Sequence, residues 1–278
     1  MSITQENFAF VADLVRSKSA ISLAAGKEYL VESRLTPLAR AKGQTVDEYV
    51  AHKRTSLNPA DSEAIVEALT TNETSWFRDS QPFTALTSHI LPELSKARAP
   101  FASLKVWSAA CSTGQEPYSI AMTLSDYFDS PAVTGIKPVI DITATDLSNE
   151  VLQRAQMGRY TQLEVNRGLP ATHLVKHFQR AGTEWELSPT LRRMVTFRRH
   201  NLLDLPPIGG PYDVVFLRNV LIYFEVEVKQ AVLKRVRSVL RPGGFLILGA
   251  AETTVGIDDS WQRVQVGRSS IYQNTGSV

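Results

Sequence analysis

Residues 104–122, LKVWSAACSTGQEPYSIAM, join a short apolar run to a helical pattern through a loop of small residues. The run at 104–110 is typical of a buried strand, and the segment 117–128 has the apolar spacing of a helix. The same order of strand and helix recurs at 139–145 and 149–156. Parallel strands that alternate with helices predict an open, doubly wound α/β sheet.

The alternation resumes near the carboxyl end of the chain. Residues 212–217 predict a third, fully apolar strand, and a helix is expected at 226–240. Pro242-Gly243-Gly244 is expected to turn the chain into a strand at 245–249, and a terminal hairpin should follow at 261–273. Between the second helix and the third strand, residues 184–187 and 194–197 are expected to pair as a small antiparallel insert, placed at about 168–200.

The first 75 residues contain only helical patterns. Phe8, Val11 and Val15 recur at helical spacing after a cap at Ser2 or Thr4. Thr45 and Glu48 have the spacing of a capping box, and Asn58-Pro59 caps a fourth helix. We therefore expect a helical domain at 1–75, a linker or lid at 76–100 and the sheet domain at 101–278.

Composition limits the classes of function. The chain has 278 residues, 43% apolar and 21% charged, with a net charge of +2, so overall charge gives no support to nucleic-acid binding. A single cysteine, Cys111, excludes an intrachain disulfide framework. The start MSITQENFAF lacks the features of a signal peptide, and no apolar run approaches the roughly 18 residues of a membrane span. We expect a soluble, cytoplasmic protein without membrane insertion.

The carboxyl ends of the strands are where an open α/β sheet binds its ligands. Glu116 follows the first predicted strand, Asp146 ends the second, and Arg218-Asn219 interrupts the apolar run after the third. The first loop lacks both the GxxxxGK[ST] spacing and GxGxxG, and a carboxylate there would repel phosphate. The strand ends thus carry two carboxylates and one amide, and they lack a basic phosphate-binding motif. Such a set of side chains fits a nucleoside without phosphates, such as S-adenosylmethionine.

Each strand end also has a purely structural interpretation. The first loop is also consistent with a tight strand–helix turn capped by Ser112 or Thr113. Asp146 is likewise consistent with a cap of the helix that begins at 149. The pair Arg218-Asn219 must be satisfied if it is buried, or else the strand ends at Leu217 and the pair is exposed.

Six segments together resemble the CheR family of chemotaxis-receptor glutamate O-methyltransferases: TNETSWFRD (71–79), WSAACSTGQEPYSIAM (107–122), ATDLS (144–148), NLLD (201–204), FLRNVLIYF (216–224) and LRPGGFLILGAAE (240–252). The resemblance implies an all-α amino-terminal domain and a class I, Rossmann-like methyltransferase domain with a small β insert. It implies S-adenosylmethionine as cofactor, S-adenosylhomocysteine as product and a γ-methyl ester on receptor glutamates.

The resemblance also implies the site. Arg78 would grip the methionine carboxylate, Glu116 the amino group and Asp146 the ribose. The implied cofactor residues are Asn72, Thr74, Arg78, Glu116, Asp146, Asn201, Leu202, Asn219 and Val220. Trp76 and Phe77 would pack the connector as a lid, or alternatively form core between domains.

A receptor glutamate is already ionised at neutral pH, so its attack on the methyl group needs alignment and no general base. Tyr223 would orient the incoming carboxylate beside Arg78, or alternatively serve as a core aromatic at a helix start. Cys111 is interpreted as a small hydrophobic residue. His173 and His177 lie four residues apart without a third ligand nearby in the sequence, so no metal is expected.

The expected partners are the acidic cytoplasmic helices of methyl-accepting chemoreceptors. Arg34, Arg40 and Lys42 offer a basic face for them, although such residues also favour a solvated helix end. A second basic patch consists of Arg192, Arg193, Arg198 and Arg199. The short segment QRAGTEWEL, with one glycine, favours an enzyme that does not depend on a receptor pentapeptide, and we expect a monomer.

Two alternatives remain from the sequence. A nucleic-acid methyltransferase would use the arginine patches, but LRNVLIYF replaces the Asp/Asn-Pro-Pro-aromatic motif of amino-directed enzymes. A non-catalytic adaptor that senses S-adenosylmethionine would keep the cofactor positions and transfer no methyl group.

Overall fold

The computed structural model describes residues 2–98, 101–135 and 137–276. Two units separate within it: one comprises the chain up to Thr71 with Tyr223–Val228, the other Asn72–Ile222 and the chain from Lys229 onward. Ala99 and Pro100, the last two residues of the predicted linker, lie outside the described residues. No helix in the described part of the chain is long and apolar enough to cross a membrane.

The smaller unit contains four helices, α1 Gln5–Ser19, α2 Glu28–Arg40, α3 Val46–Thr55 and α4 Pro59–Leu69. Their amino termini confirm the predicted caps: Thr4 accepts from the Asn7 amide, Thr45 and Glu48 form the capping box, and Asn58 accepts from the Asp61 amide. The apolar faces of α1, α2 and α4 are buried inside this unit. The fully buried residues on them include Val11, Val15, Val31, Leu35 and Ile65.

The larger unit is built on a seven-stranded sheet in the order β6-β2-β1-β7-β8-β10-β9. The first five strands of that order are parallel, and β10 and β9 add an antiparallel edge. The strands are β1 Ser103–Ala109, β2 Val139–Asp146, β6 Val195–Arg199, β7 Tyr212–Leu217, β8 Leu240–Leu248, β9 Trp261–Val266 and β10 Ser269–Asn274. This arrangement confirms the doubly wound α/β class.

The helices and helical turns between residues 81 and 239 lie in this unit, except for residues 223–228. They are α5 Gln81–Ala85, a π-helical turn Leu86–Ile90, α6 Leu91–Ala97, α7 Gln115–Asp129, α8 Asn149–Met157, α9 Gln162–Asn166, α10 Ala171–His177, α11 Pro189–Arg192, a 3₁₀ turn Leu221–Tyr223 and α12 Val226–Val239. Strand β7 is buried along its whole length, as expected for a central parallel strand. The chain runs from β1 to β2 on one side and later to β7 on the other, so β1 lies at the switch point where such sheets bind ligands.

One predicted strand pairing is wrong. Residues 194–197 do not pair with Glu184–Leu187, because Val195–Arg199 is β6, a parallel edge strand of the main sheet beside β2. Glu184–Leu187 is β5, which pairs with β4 Phe178–Ala181 and β3 Arg159–Thr161 in the small antiparallel sheet. Gly182, at φ 66°, lies in the two-residue turn between β4 and β5. That short turn pairs its own flanking segments and leaves the later strand free for the main sheet.

A second difference concerns Pro242-Gly243-Gly244. These residues lie inside β8, which begins at Leu240, rather than in a turn before the strand. The register shifts between Tyr212 and Val214 of the partner strand, which accommodates them as an irregularity in the pairing.

Candidate active site

The loop between β1 and α7 has a backbone that few sequences adopt. Ala110 and Ser112 have φ values of 58° and 50°, and Gly114 has 94°. A Cβ at Gly114 would lie 3.0 Å from the Ala155 Cβ and 3.0 Å from the Tyr160 hydroxyl oxygen, so a side chain there would be both strained and crowded. Positive φ at non-glycine residues costs free energy and often marks functional sites.

Hydrogen bonds to the end of β2 hold this loop. The Ser112 amide donates to Oδ2 of Asp146 at 2.8 Å, and the Cys111 amide donates to the Thr145 carbonyl at 2.9 Å. Oδ1 of Asp146 accepts from the Ser148 amide at 3.0 Å. Ser148, not Asp146, caps α8. Asp146 is therefore a buried carboxylate that joins two strand ends, and its contact with the ribose stays a prediction.

Arg218 connects the end of β7 to two carboxylates. Its side chain is 1% exposed, and Nη1 donates to Oε2 of Glu116 at 3.0 Å. Nη2 donates to Oδ2 of Asp79 at 2.7 Å and to the Arg78 carbonyl at 2.8 Å. Arg218 is thus buried and ion-paired inside the protein, so the exposed alternative is wrong for this residue. The sequence motif contained Arg218, but its partners lie far along the chain.

Glu116 is fixed from both sides. Its Oε1 accepts from the Ser108 hydroxyl at 2.8 Å, while Arg218 binds Oε2. Burial raises the pKa of the Glu116 carboxyl, and the positive charge of Arg218 opposes that rise. The structure therefore presents Glu116 at the start of α7 as a carboxylate positioned by a buried cation.

The connector at 72–80 is strained and anchored. Phe77, Asp79 and Ser80 all have positive φ, at 47°, 64° and 37°. The Asn72 carbonyl accepts from the Ser112 hydroxyl at 2.8 Å, and the Phe77 amide donates to the Ser119 hydroxyl at 3.1 Å. Together with Arg218, these bonds tie the connector to the loops at the strand ends. A backbone held in this way is pre-organised to present its side chains.

The two aromatic residues of the connector have different surroundings. Trp76 is 1% exposed and packs edge-on against Tyr160 at 4.8 Å and Phe178 at 5.4 Å. It belongs to the core of the larger unit. Phe77 is half-buried and stacks on the His173 ring with centroids 4.7 Å apart. Trp76 therefore anchors the connector.

Asn72 and Thr74 line a polar cavity of about 270 Å³ with Thr113 and Gln115 of the first loop. The Nη1 of Arg78 donates to the Glu73 carbonyl at 3.3 Å. The structure thus groups Asn72 and Thr74 with the loop after β1. The predicted roles of these three residues toward a cofactor stay predictions.

Asn219 and Val220 depend on Glu252, which is not among the predicted site residues. Asn219 has φ 56°, and its amide donates to Oε2 of Glu252 at 2.7 Å. The amides of Val220 and Ile222 donate to Oε1 at 2.9 and 3.3 Å, and the Gly249 amide donates to Oε2 at 2.7 Å. Glu252 comes just after β8. An acidic residue beyond the end of a strand is therefore the sequence signal that could have identified it, as it did for Glu116.

The remaining predicted residues lie in two places. Asn201 and Leu202 are half-buried in the segment after β6, where Oδ1 of Asn201 accepts from the Leu203 amide at 3.1 Å. Tyr223 ends the 3₁₀ turn and groups with the smaller unit, where its carbonyl accepts from the Ser22 amide at 3.4 Å. Their contacts with cofactor or substrate stay predictions.

The donor set at the strand ends fits a ligand that is cationic and rich in hydroxyl groups. Glu116 and Asp146 follow adjacent strands, whereas Arg218 is already engaged by Glu116 and Asp79 and is not available for a phosphate. Burial raises the pKa of the Cys111 thiol well above its ordinary value, so this residue is a neutral space-filler and no nucleophile.

Two family models match successive parts of the chain. The domain described as "CheR methyltransferase, SAM binding domain" matches residues 72–269, and "CheR methyltransferase, all-alpha domain" matches residues 6–70.

Two relatives are similar over nearly the full length. "Chemotaxis protein methyltransferase 1" of Pseudomonas aeruginosa is 41% identical, over 98% of this chain and 99% of the relative. "Chemotaxis protein methyltransferase Cher2" of Pseudomonas putida is 42% identical, over 91% of this chain and 92% of the relative. Among solved structures, magnesium protoporphyrin IX methyltransferase from Synechocystis with bound SAM shows 16% identity and a TM-score of 0.37, over 86% of this chain and 95% of that one. A structural similarity at that level supports no conclusion.

Proposed function

The chain belongs to the CheR methyltransferase family and is an S-adenosylmethionine-dependent methyltransferase, and we propose that it acts in chemotaxis by methylating glutamate side chains of chemoreceptors. The product is a glutamate γ-methyl ester. The names of the relatives support a role in chemotaxis. The observation that carries the proposed chemistry is the set of fixed carboxylates at the strand ends, beside a cysteine that burial keeps neutral.

The residues that would hold the cofactor are those at the ends of β1, β2 and β7 with the anchored connector. When bound, S-adenosylmethionine supplies an electrophilic methyl group on a sulfonium sulfur. Glu116 and Asp146 would bind its amino and ribose groups, and Arg78 would bind its carboxylate. The other residues that would complete the site are Asn72, Thr74, Asn201, Leu202, Asn219 and Val220.

Alignment is what the protein contributes to the transfer itself. A glutamate with a reference pKa near 4.3 is ionised at neutral pH, so no base has to remove a proton. Tyr223 orients the incoming carboxylate, and orientation alone supplies about 7–11 kcal/mol in favourable cases. A turnover rate that stays flat from about pH 6 to pH 8 is the expected signature.

The receptor-facing surface is the end of α2. Arg40 and Lys42 are exposed, whereas Nη1 of Arg34 donates to the Thr70 carbonyl at 3.1 Å and is half-buried. Exposed cations steer acidic partners at long range, and salt screens that effect over about 8–10 Å. Arg40 and Lys42 therefore act on encounter with the receptor, while Arg34 also stabilises its own unit.

The test is transfer of labelled methyl groups from S-adenosylmethionine to bacterial membranes that contain a chemoreceptor. Base-labile label on the receptor is expected. Cofactor binding without label would favour the adaptor, and label in nucleic acid would favour the other alternative. Arg40→Glu with Lys42→Glu should slow methylation at low salt, whereas the matched reversal of two exposed cations, Lys234→Glu with Arg268→Glu, should not.

Independence from a receptor pentapeptide is proposed from the small antiparallel sheet. Its β4–β5 connection is a two-residue turn with one glycine, Gly182, rather than a glycine-rich loop. Receptors with and without their carboxyl-terminal pentapeptide should be methylated at the same rate. A rate that falls strongly on truncation would contradict this part of the proposal alone.

A further inference from the structure

Two histidines and an aspartate converge away from the strand ends. His173 and His177 lie on α10, and Asp126 lies on α7. Nδ1 of His173 is 3.4 Å from Oδ2 of Asp126, and Nε2 of His177 is 3.4 Å from Oδ1. One ligand atom from each of the three residues lies within 4.8 Å of the others. The fold thus supplies the third ligand that the sequence around the two histidines lacks.

The Nε2 of His177 is buried and lies near Asp126 without a well-directed hydrogen bond to it. His177 is 6% exposed, and its Nε2 has no hydrogen-bond partner among the described residues although it faces Asp126. Buried polar atoms are nearly always satisfied, so this one needs an explanation.

The donor types and spacing fit zinc. In a tetrahedral site with metal–ligand distances of about 2.0–2.1 Å, neighbouring ligand atoms lie about 3.3–3.4 Å apart. Each histidine nitrogen lies at about this distance, 3.4 Å, from one of the two carboxylate oxygens of Asp126, and one ligand atom from each residue lies within 4.8 Å of the others. Two imidazoles with one carboxylate favour zinc-class cations over magnesium, which prefers oxygen ligands. We propose that Asp126, His173 and His177 bind one Zn²⁺, with water in the fourth position.

Lys176 competes with the metal in this arrangement. Its ammonium group forms an ion pair with Oδ1 of Asp126, and its side chain is 52% exposed. A half-exposed lysine can move into solvent, so Zn²⁺ would take the place of the Lys176 ammonium as the positive charge beside the Asp126 carboxylate. Removal of that charge by Lys176→Met should therefore strengthen Zn²⁺ binding, which a purely structural ion pair would not predict.

The bound ion would join α7 of the main sheet to α10. Because Phe77 stacks on His173, the site also lies beneath the connector. Its role is to brace this junction, and it takes no part in the methyl-transfer step. Zn²⁺ binding and thermal stability can therefore be measured without any methylation assay, and they stand or fall separately from the proposed activity.

The experiment is a Zn²⁺ titration of the untagged, full-length protein after treatment with chelator, followed by calorimetry and by the visible absorption of Co²⁺ in the same site. One site per chain is expected, with a higher unfolding temperature when Zn²⁺ is bound. Asp126→Asn and His177→Ala should each weaken binding by about a hundredfold or more, beyond the typical 10–100-fold for an outer-shell partner. The matched control, His52→Ala, removes an exposed histidine on α3 and should bind like the wild type.

Two results would overturn the proposal. One is the absence of stoichiometric Zn²⁺ binding, and the other is binding that Asp126→Asn leaves unchanged. Asp126→Asn is nearly isosteric at a residue whose side chain is 34% exposed, so it keeps the test valid if His177→Ala does not fold.

Discussion

We expect Arg218→Met to destabilise the larger unit by about 3–5 kcal/mol, the typical cost of removing one partner from a buried ion pair. The arginine side chain is 1% exposed and that of Glu116 is 13% exposed. The substitution leaves the Glu116 carboxylate buried with the Ser108 hydroxyl but without its cation. It also removes the two bonds from Nη2 that hold the connector.

A double-mutant cycle separates the buried charge from lost packing. Glu116→Gln together with Arg218→Met should be less destabilised than Arg218→Met alone, with a coupling energy of about 1–3 kcal/mol, because no unpaired charge remains. The matched control is Arg78→Met. Arg78 is half-exposed with a single long side-chain bond, so its loss should cost less than about 1 kcal/mol.

The pH dependence of Arg218→Met has a definite sign. Burial already raises the pKa of Glu116 above 4.5 in the folded protein, and loss of Arg218 raises it further. A raised folded pKa means that the folded state holds its proton longer, so stability falls as pH rises through that pKa. The destabilisation of Arg218→Met should thus shrink as the pH falls through the raised pKa of Glu116.

Urea unfolding followed by tryptophan fluorescence is the suitable assay. The chain has four tryptophans, all in the larger unit, so the signal reports that unit: Trp76, Trp107, Trp185 and Trp261. Calorimetry with S-adenosylhomocysteine should show weaker binding by Arg218→Met, because the connector loses an anchor. A destabilisation below about 1 kcal/mol with no coupling to Glu116 would refute the reasoning.

Three further predictions use the same unfolding assay or the methylation assay. Glu252→Gln should cost about 2 kcal/mol or more, because an amide cannot accept from all four backbone amides that the carboxylate binds; an unchanged midpoint would contradict this. Gly168→Ala should cost at least about 2 kcal/mol more than Gly182→Ala, since both have positive φ but only at Gly168 would a Cβ overlap the Trp76 carbonyl; equal costs would refute the steric argument. Cys111→Ala should leave turnover and its flat profile from about pH 6 to pH 8 nearly unchanged, whereas a rise of the wild-type rate across neutral pH that this substitution abolishes would show that the thiol titrates in the reaction.

Much of the fold was predictable because its signals are local. The apolar run of β7 and the helical spacing of α7 and α12 predicted the doubly wound class. The caps at Thr4, Thr45 and Asn58 marked the starts of helices. The β6 strand was predicted in the wrong sheet, because a five-residue strand pairs equally well on sequence alone with several partners. Only the strand order decides between them.

The positions of Glu116, Asp146 and Arg218 at strand ends were determined by the sequence alone, because a parallel sheet brings its carboxyl ends to one edge. What those side chains touch was decided by the tertiary structure. Arg218 reaches Glu116 and Asp79 across more than a hundred residues of chain, and Asp126 meets the two histidines of α10 across about fifty. Periodicity and motifs describe neighbours along the chain, whereas hydrogen bonds and ion pairs act over about 3 Å in space and depend on how distant elements pack.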